Sequence, residues 1–500
     1  LNLDALKNTR PIRQKAETPD EINELFDGIA YGKAAAVLRM VEHHVDPELF
    51  RRGVQNYLRA HSYGNATAED FWNAIALAAK KPADKIMSSF VAQAGEPLLH
   101  VAQESDGQLS ISQERFFSDR QLLGTVDQTW SVPVCWRSLS RDASSSCLLL
   151  QSRGEMSRAS ANAPAFANVD GRGYYRTEYE HGLRDRLTKV LESELHPAER
   201  ISLLGDEWAL VHVGRLSISN YLDTAMQLKG ERQRQVWAQV LTSIEYINDK
   251  LVSDQDREQF RQFVRNLLKP GQSELTNTTD AQERALRADL FKVLGIVGRD
   301  PEVLVQAHDL AQKALQDPVA VDPLMAREAM QIAATQGDET LFNQLVERLK
   351  GSSDQVLRRR YMDALAHFEK PELVQKALEL GISDAIRNQD STSYISEFLR
   401  NPETRQQAWK FIQSHWTDVE KTFTTSSGSE LVSGAGQFCN ADSASNVSAF
   451  FKVHTVPASE RTLRQAVERI NSCVELKKMQ ESNLQSWLVD HSSLQTAGAQ

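Results

Sequence analysis

Cysteine is scarce in this chain, with four residues in 500, at positions 135, 147, 439 and 473, and no C-x-x-C pair. That spacing is too sparse for a disulfide scaffold; one or two bridges stay open, and with them the redox compartment. Glycine (24) and proline (15) are too few for a collagen-like or low-complexity chain. No stretch approaches the roughly 18 consecutive apolar residues of a membrane-spanning helix, so no membrane span is expected. Positive charge is not in excess either: 57 Lys plus Arg stand against 67 Asp plus Glu, a net charge of −10. That excludes a general binder of phosphate backbones, so no nucleic-acid partner is expected. The sequence opens at Leu1 with no signal-peptide pattern, so a preceding segment is expected and the localisation, cytoplasmic or exported, stays open.

What is present is an ordinary folded composition, 41% hydrophobic and 25% charged, long enough for about three domains. Residues 1 to about 95 carry helical spacing. Ala34, Val37, Leu38 and Val41 recur on one face after a break at Gly28, and Asp46-Pro47 opens a helix whose apolar face is Phe50, Val54, Tyr57 and Leu58. Thr67-Ala68-Glu69-Asp70 fits a capping box. Near Gly95 the period changes to two. Asp106-Gly107 suggests a type I′ hairpin turn, Leu109 and Ile111 alternate with serines, and Trp130, Val132, Val134 and Trp136 repeat the pattern. Residues 97 to about 180 therefore predict a small antiparallel β-sandwich.

From about 185 the helical period returns in pairs of amphipathic segments. Breaks at Asp300-Pro301, Asp338-Glu339, Lys370-Pro371 and Asn401-Pro402 recur at a loose spacing of some 30 to 40 residues, the pattern of an α-solenoid. The Ser/Gly-rich stretch from Thr424 to Gly436 reads as a loop between helices.

Catalytic motifs are missing. Twelve histidines form no H-E-x-x-H, and adjacent His43 and His44 face different sides of a helix, so no metal ligand is assigned within the chain. G-x-x-x-x-G-K-[ST], G-x-S-x-G and G-x-G-x-x-G are absent as well. Ser144, Ser145 and Ser146 read as a polar turn, Tyr174 and Tyr175 as packing aromatics, and Arg358, Arg359 and Arg360 as a cluster spread around a helix toward solvent or acidic neighbours. By motif alone the chain is a binding scaffold.

The strings FDGIAYGKAAAVLRMVE (26–42) and FRRGVQNYLRAHSYGNATAEDFW (50–72) resemble the C-terminal half of the catalytic domain of zinc aminopeptidases, the family of aminopeptidase N and puromycin-sensitive aminopeptidase. FANVDGRGYYRTEY (166–179), EWALVHVGRLSISNYL (207–222) and AFFKVHTVPASERTLRQAVERI (449–470) continue the resemblance in the family's order. It implies a mainly α chain with a small β-sandwich: the helical end of a thermolysin-like catalytic domain (1–96), a β-sandwich (97–184), and a HEAT-like α-solenoid (185–500). It also implies a zinc cofactor whose H-E-x-x-H, downstream Glu and G-x-M-E-N segment lie upstream of Leu1. The expected partners are then peptide substrates and a missing N-terminal catalytic segment.

On the same resemblance Tyr31 takes the place of the family's catalytic tyrosine. A peptide carbonyl attacked by zinc-bound water develops an oxyanion, and a fixed phenol donates a hydrogen bond to it. The bland reading is a tyrosine packed at a helix start. The family's Y-x-K-G departs here to Lys33-Ala34, and Lys33 reads as a solvated or packing lysine. Two functions are therefore carried forward. One is the C-terminal portion of a zinc aminopeptidase, inactive alone; the other is a non-catalytic interaction scaffold descended from the family.

Overall fold

Helix starts in the first hundred residues are set by capping side chains. The Asp46 carboxylate accepts from Glu48 N–H (2.9 Å) and Leu49 N–H (3.3 Å), with Pro47 in the first turn, and opens the helix Pro47–Ala60. Thr67 and Asp70 cap each other's backbone at the start of Ala68–Ala79. The computed structural model describes residues 1–140, 145–161, 163–424 and 427–497; it is mostly helical with a small sheet region. Two compact units divide the chain: Leu1–Leu216 with Asn220–Leu228, and Ser217–Ser219 with Lys229–Gln500.

In the first unit the helices Ala34–Val45, Pro47–Ala60, Ala68–Ala79 and Ala83–Ala92 follow in sequence. The expected apolar face of Pro47–Ala60 holds only in part. Phe50, Val54 and Tyr57 are half-buried and Leu58 is exposed, and the one fully buried residue of that helix is Gly53. A Cβ there would lie 2.7 Å from the Ile75 backbone, so the absence of a side chain lets the two helices meet closely.

Among the described residues seven strands follow: β1 (Glu96–Gln103), β2 (Gln108–Phe116), β3 (Val132–Ser138), β4 (Ser146–Leu150), β5 (Gly154–Arg158), β6 (Ala165–Phe166) and β7 (Arg176–Tyr179). They form one sheet of order β5-β2-β1-β7 and another of order β4-β3-β6. All pairs are antiparallel but one. β7 pairs parallel with β1, Leu98 beside Arg176, because a connection of some seventy residues lets it re-enter in the same direction. The β1–β2 hairpin is not the expected type I′ turn. Gly107 N–H donates to Glu104 O (3.0 Å), and Gly107 alone of that turn takes a positive φ (84°), whereas type I′ needs two. Nor does β3 alternate: it is buried on both sides for most of its length, since the helix Ala34–Val45 packs against it. Ser144 lies outside the described residues, while Ser146 begins β4.

In the second unit the expected breaks at Asp300, Asp338 and Lys370 are helix starts, with Asp300 and Asp338 as side-chain caps. After Asn401-Pro402 a turn intervenes before Arg405. Ala281–Ile296, Pro323–Thr335, Gln355–Leu365 and Asn388–Arg400 contact one another in series, and a second helix follows each of them. The Thr424–Gly436 stretch is not simply a loop. Residues 425–426 lie outside the described residues, but Gly428–Gly434 is a short helix. Its small residues permit close packing, a Cβ at Gly434 falling 3.1 Å from Leu399. All four cysteines are paired, Cys135 with Cys147 and Cys439 with Cys473. Among the described residues no helix is long and apolar enough to cross a membrane.

Candidate active site around Tyr31

Tyr31 stands on a π-helical turn, Ile29–Lys33, that leads directly into the helix Ala34–Val45. Lys33 N–H donates to the Gly28 carbonyl at 2.9 Å, the wide ring that defines such a turn. π turns inside helices recur at functional sites. The turn is pinned at both ends by ion pairs, part-buried at its start and fully buried at its end.

At its start, the Asp27 carboxylate accepts from Ile29 N–H (2.9 Å) and Ala30 N–H (3.0 Å). Arg10 grips the same carboxylate with two bonds, Nη2 to Oδ1 at 2.7 Å and Nε to Oδ2 at 3.1 Å. The remaining Arg10 donors reach the carbonyls of Pro11, Ile12 and Leu25.

At its end, Lys33 is fully buried, which corrects the solvated alternative. Its Nζ donates to Asp4 Oδ2 (2.8 Å) and to the carbonyls of Gln93 and Gly95 (3.0 Å each). Burial pulls the Lys33 ammonium below its ordinary value, and Asp4 opposes that pull. Asp4 also accepts from Thr9 Oγ1 (2.9 Å), Gly95 N–H (2.9 Å) and Tyr174 O–H (3.1 Å), so its carboxylate is saturated. Tyr174 itself packs edge-on to Phe90, and Tyr175 is buried, as the packing reading of that pair expects.

Between these anchors the Tyr31 side chain is 63% exposed and the neighbouring Phe26 is 67% exposed, with ring centroids 6.4 Å apart. The hydroxyl makes no hydrogen bond among the described residues, and a Cβ added at Gly32 would meet nothing within 4 Å. A rigid turn thus presents one phenol to open space. Ala34, the departure from Y-x-K-G, sits at φ −60° and ψ −45°, ordinary helix that costs alanine nothing. Sequence reading missed the roles of Arg10, Asp27 and Asp4: Asp27 lies within the string 26–42 but was given no part there, and Arg10 and Asp4 belong to no motif and no apolar period.

A metal has no place to bind among these residues. Asp170, His196 and Glu199 approach closely enough to be considered, and they are the one such group found among the described residues. Glu199, however, accepts from Arg137 through both oxygens (2.9 and 2.6 Å) and from the backbone N–H of Asp170 and His196. It is a capping and ion-pair residue, and a cation there would sit against a guanidinium. This group is not the zinc site that the resemblance implies, whose ligands belong to a segment outside these 500 residues.

Residues 1–90 match the Peptidase family M1 domain, and residues 165–472 match the ERAP1-like C-terminal domain. Glutamyl aminopeptidase of Bos taurus is 27% identical over 512 residues, covering 97% of this chain and 52% of the relative. The Homo sapiens glutamyl aminopeptidase is 28% identical over 508 residues (97% and 52%), and aminopeptidase M1 of Arabidopsis thaliana 28% over 511 (94% and 56%). The chain spans about half the length of the curated relatives it matches. With more than half of its residues inside the ERAP1-like C-terminal domain and its first ninety inside the peptidase domain, the chain belongs to the peptidase M1 family of aminopeptidase N-like proteins.

Proposed function

We propose that this chain is the C-terminal portion of a zinc metallo-aminopeptidase that removes N-terminal residues from peptides, and that Tyr31 donates the hydrogen bond that stabilises the oxyanion. In this reading residues 1–96 end a thermolysin-like catalytic domain, 97–184 are a β-sandwich and 185–500 a HEAT-like solenoid. The zinc ligands and the attacking nucleophile come from a segment outside these 500 residues. The observation that carries the proposal is the exposed phenol on a turn fixed by Arg10–Asp27 on one side and Lys33–Asp4 on the other.

The contribution of this chain's own residues follows from that geometry. As a nucleophile adds to the scissile carbonyl, charge grows on its oxygen, and the phenol O–H donates a hydrogen bond to it. Because the turn is held by ion pairs at both ends, little reorganisation accompanies the step. One such donor is worth on the order of 3 kcal/mol of transition-state stabilisation. The pairing of all four cysteines supports an oxidising compartment for the protein.

The competing reading is a non-catalytic interaction scaffold descended from the family. Zinc content and hydrolysis of fluorogenic aminoacyl amides separate the two. The protein extended to its encoded N-terminus is expected to bind one zinc per chain and to cleave, and the 500-residue chain to do neither. Cleavage by the 500-residue chain alone would overturn the fragment reading; an extended protein without zinc or activity would establish the scaffold.

A further inference from the structure

The clamp on Lys33 is assembled from two segments that are distant in the chain. Gly95 touches both members of the Lys33–Asp4 pair: its N–H donates to Asp4 Oδ1 (2.9 Å) and its carbonyl accepts from Lys33 Nζ (3.0 Å). Asp4 belongs to the first turn, where its own N–H donates to the Leu1 carbonyl (2.8 Å). Residues 1–4 and 95–96 must therefore be held against one another for the clamp to stay closed.

Arg176, the first residue of β7, joins them. Its Nη2 donates to Asn2 Oδ1 (2.7 Å) and its Nε to Glu96 Oε1 (2.7 Å), so one planar group bridges the residue two before Asp4 and the residue after Gly95. Its Nη1 donates to the Gly205 carbonyl (3.2 Å) and lies 3.7 Å from Asp206 Oδ1, which anchors the guanidinium on the helix Pro197–His212. Asp206 is itself fixed to β7, accepting from Thr177 N–H (3.0 Å) and Thr177 Oγ1 (2.7 Å). The guanidinium carbon stands 5.2 Å from the centre of the Phe116 ring. Donors aimed in three directions at fixed angles are what a guanidinium supplies and an ammonium does not.

The bridge is deeply buried, with the Arg176 and Glu96 side chains 4% and 0% exposed. Burial raises the Glu96 carboxyl above its ordinary value, and Arg176 is the strongest influence opposing that rise. Glu96 Oε2 has no hydrogen-bond partner among the described residues. An ion pair of this kind is a poor source of stability, because apolar side chains of similar volume serve as well; its best-attested use is to fix one geometry. The geometry that this pair adjoins is the clamp under the turn Ile29–Lys33.

We infer that Arg176 is a positioning residue for Tyr31: by holding Asn2 and Glu96 together it keeps Asp4 and Gly95 closed on Lys33, and so fixes the direction in which the phenol is presented. The inference rests on the proposed role of Tyr31 at the oxyanion, and it makes β7 a part of the catalytic apparatus that never touches substrate.

Hydrogen exchange in the 500-residue chain, read at the amides of Tyr31, Lys33 and Ala34, reports the turn independently of activity. Arg176→Gln is expected to speed exchange there about tenfold or more, and Asn2→Ala, which changes only an exposed side chain, about threefold, with the amides of Ala68–Ala79 unaffected. Asn2→Asp retains an acceptor for the guanidinium and is expected to keep the protection. In the protein extended to its encoded N-terminus, Arg176→Gln is expected to lower kcat about 10-fold to 100-fold with KM almost unchanged, and Asn2→Ala to lower it about threefold. Arg215→Gln, which breaks the ion pairs to Glu114 and Glu178 instead, is the control expected to retain kcat. Because Arg176 acts through the phenol, either variant combined with Tyr31→Phe is expected to lose no more than Tyr31→Phe alone. Losses that add to an impaired Tyr31→Phe would overturn the role of Arg176 and leave the oxyanion reading standing; a fully active Tyr31→Phe would remove that reading and this inference with it. Unchanged exchange at the turn in both variants, or equal acceleration in Ala68–Ala79, would also overturn it.

Discussion

The Lys33 ammonium lies 2.8 Å from the Asp4 carboxylate, with the two side chains 1% and 0% exposed, and this pair ties the first turn of the chain to the turn that carries Tyr31. Removing one member leaves the other charged and buried. Lys33→Met is therefore expected to lower stability by about 3–5 kcal/mol in urea unfolding. A loss under about 0.5 kcal/mol would mean that water or a rearranged partner replaces the ammonium.

A second ion-pair network gives a pH dependence. His100 lies 3.0 Å from Glu114 and 2.7 Å from Glu178, and Arg215 contacts the same two carboxylates. Burial opposes the charge on His100, yet the hydrogen bonds to Glu114 and Glu178 outweigh it and raise the ring's pKa from 6.5 to about 9. A pKa raised by folding contributes stability that is complete below the unfolded value and is lost as pH rises through the folded one. With the ring 36% exposed, solvent screening reduces the contribution to about 1–2 kcal/mol. The stability difference between the protein and His100→Gln is expected to be largest near pH 6 and to shrink by that amount toward about pH 10. A pH-independent difference would assign His100 to packing.

How much of this was legible in the residues varied with the range of the interaction. Helical and two-residue periods separated the helical from the sheet segments, and Asp46, Thr67 and Asp300 marked helix starts, because caps and periods are local. The parallel β1–β7 pairing was not legible, since a strand's partner some seventy residues away leaves no trace in its own alternation. The turn under Tyr31 shows the same limit. IAYGK is recognisable as a string, but Lys33 is buried only because Asp4, Gln93 and Gly95 converge on it from elsewhere. The three arginines 358–360 look alike in sequence. On the helix Gln355–Leu365 they separate completely: Arg358 reaches the carbonyls of Ser352 and Ala385, Arg359 pairs with Asp363, and Arg360 is buried.

The Cys439–Cys473 bridge closes a separation of 34 residues onto the C-terminal helix Glu460–Ala497. By chain entropy a loop of that length contributes about 4 kcal/mol. The Cys439→Ala/Cys473→Ala variant is expected to lose roughly 3–4 kcal/mol in thermal or urea unfolding, and reduction of the unaltered protein, which opens Cys135–Cys147 as well, to lower its midpoint further than the double variant does. An unchanged midpoint in the double variant would show that the Cys439–Cys473 bridge does not stabilise the folded protein.

The claim that Tyr31 is the oxyanion donor is tested most directly by the kinetics of Tyr31→Phe in the protein extended to its encoded N-terminus. A donor used only in the transition state lowers kcat and leaves KM almost unchanged, so a loss in kcat of about 100-fold to 1000-fold is expected with zinc content intact. A variant that keeps most of its kcat would contradict the assignment and return Tyr31 to an exposed surface residue.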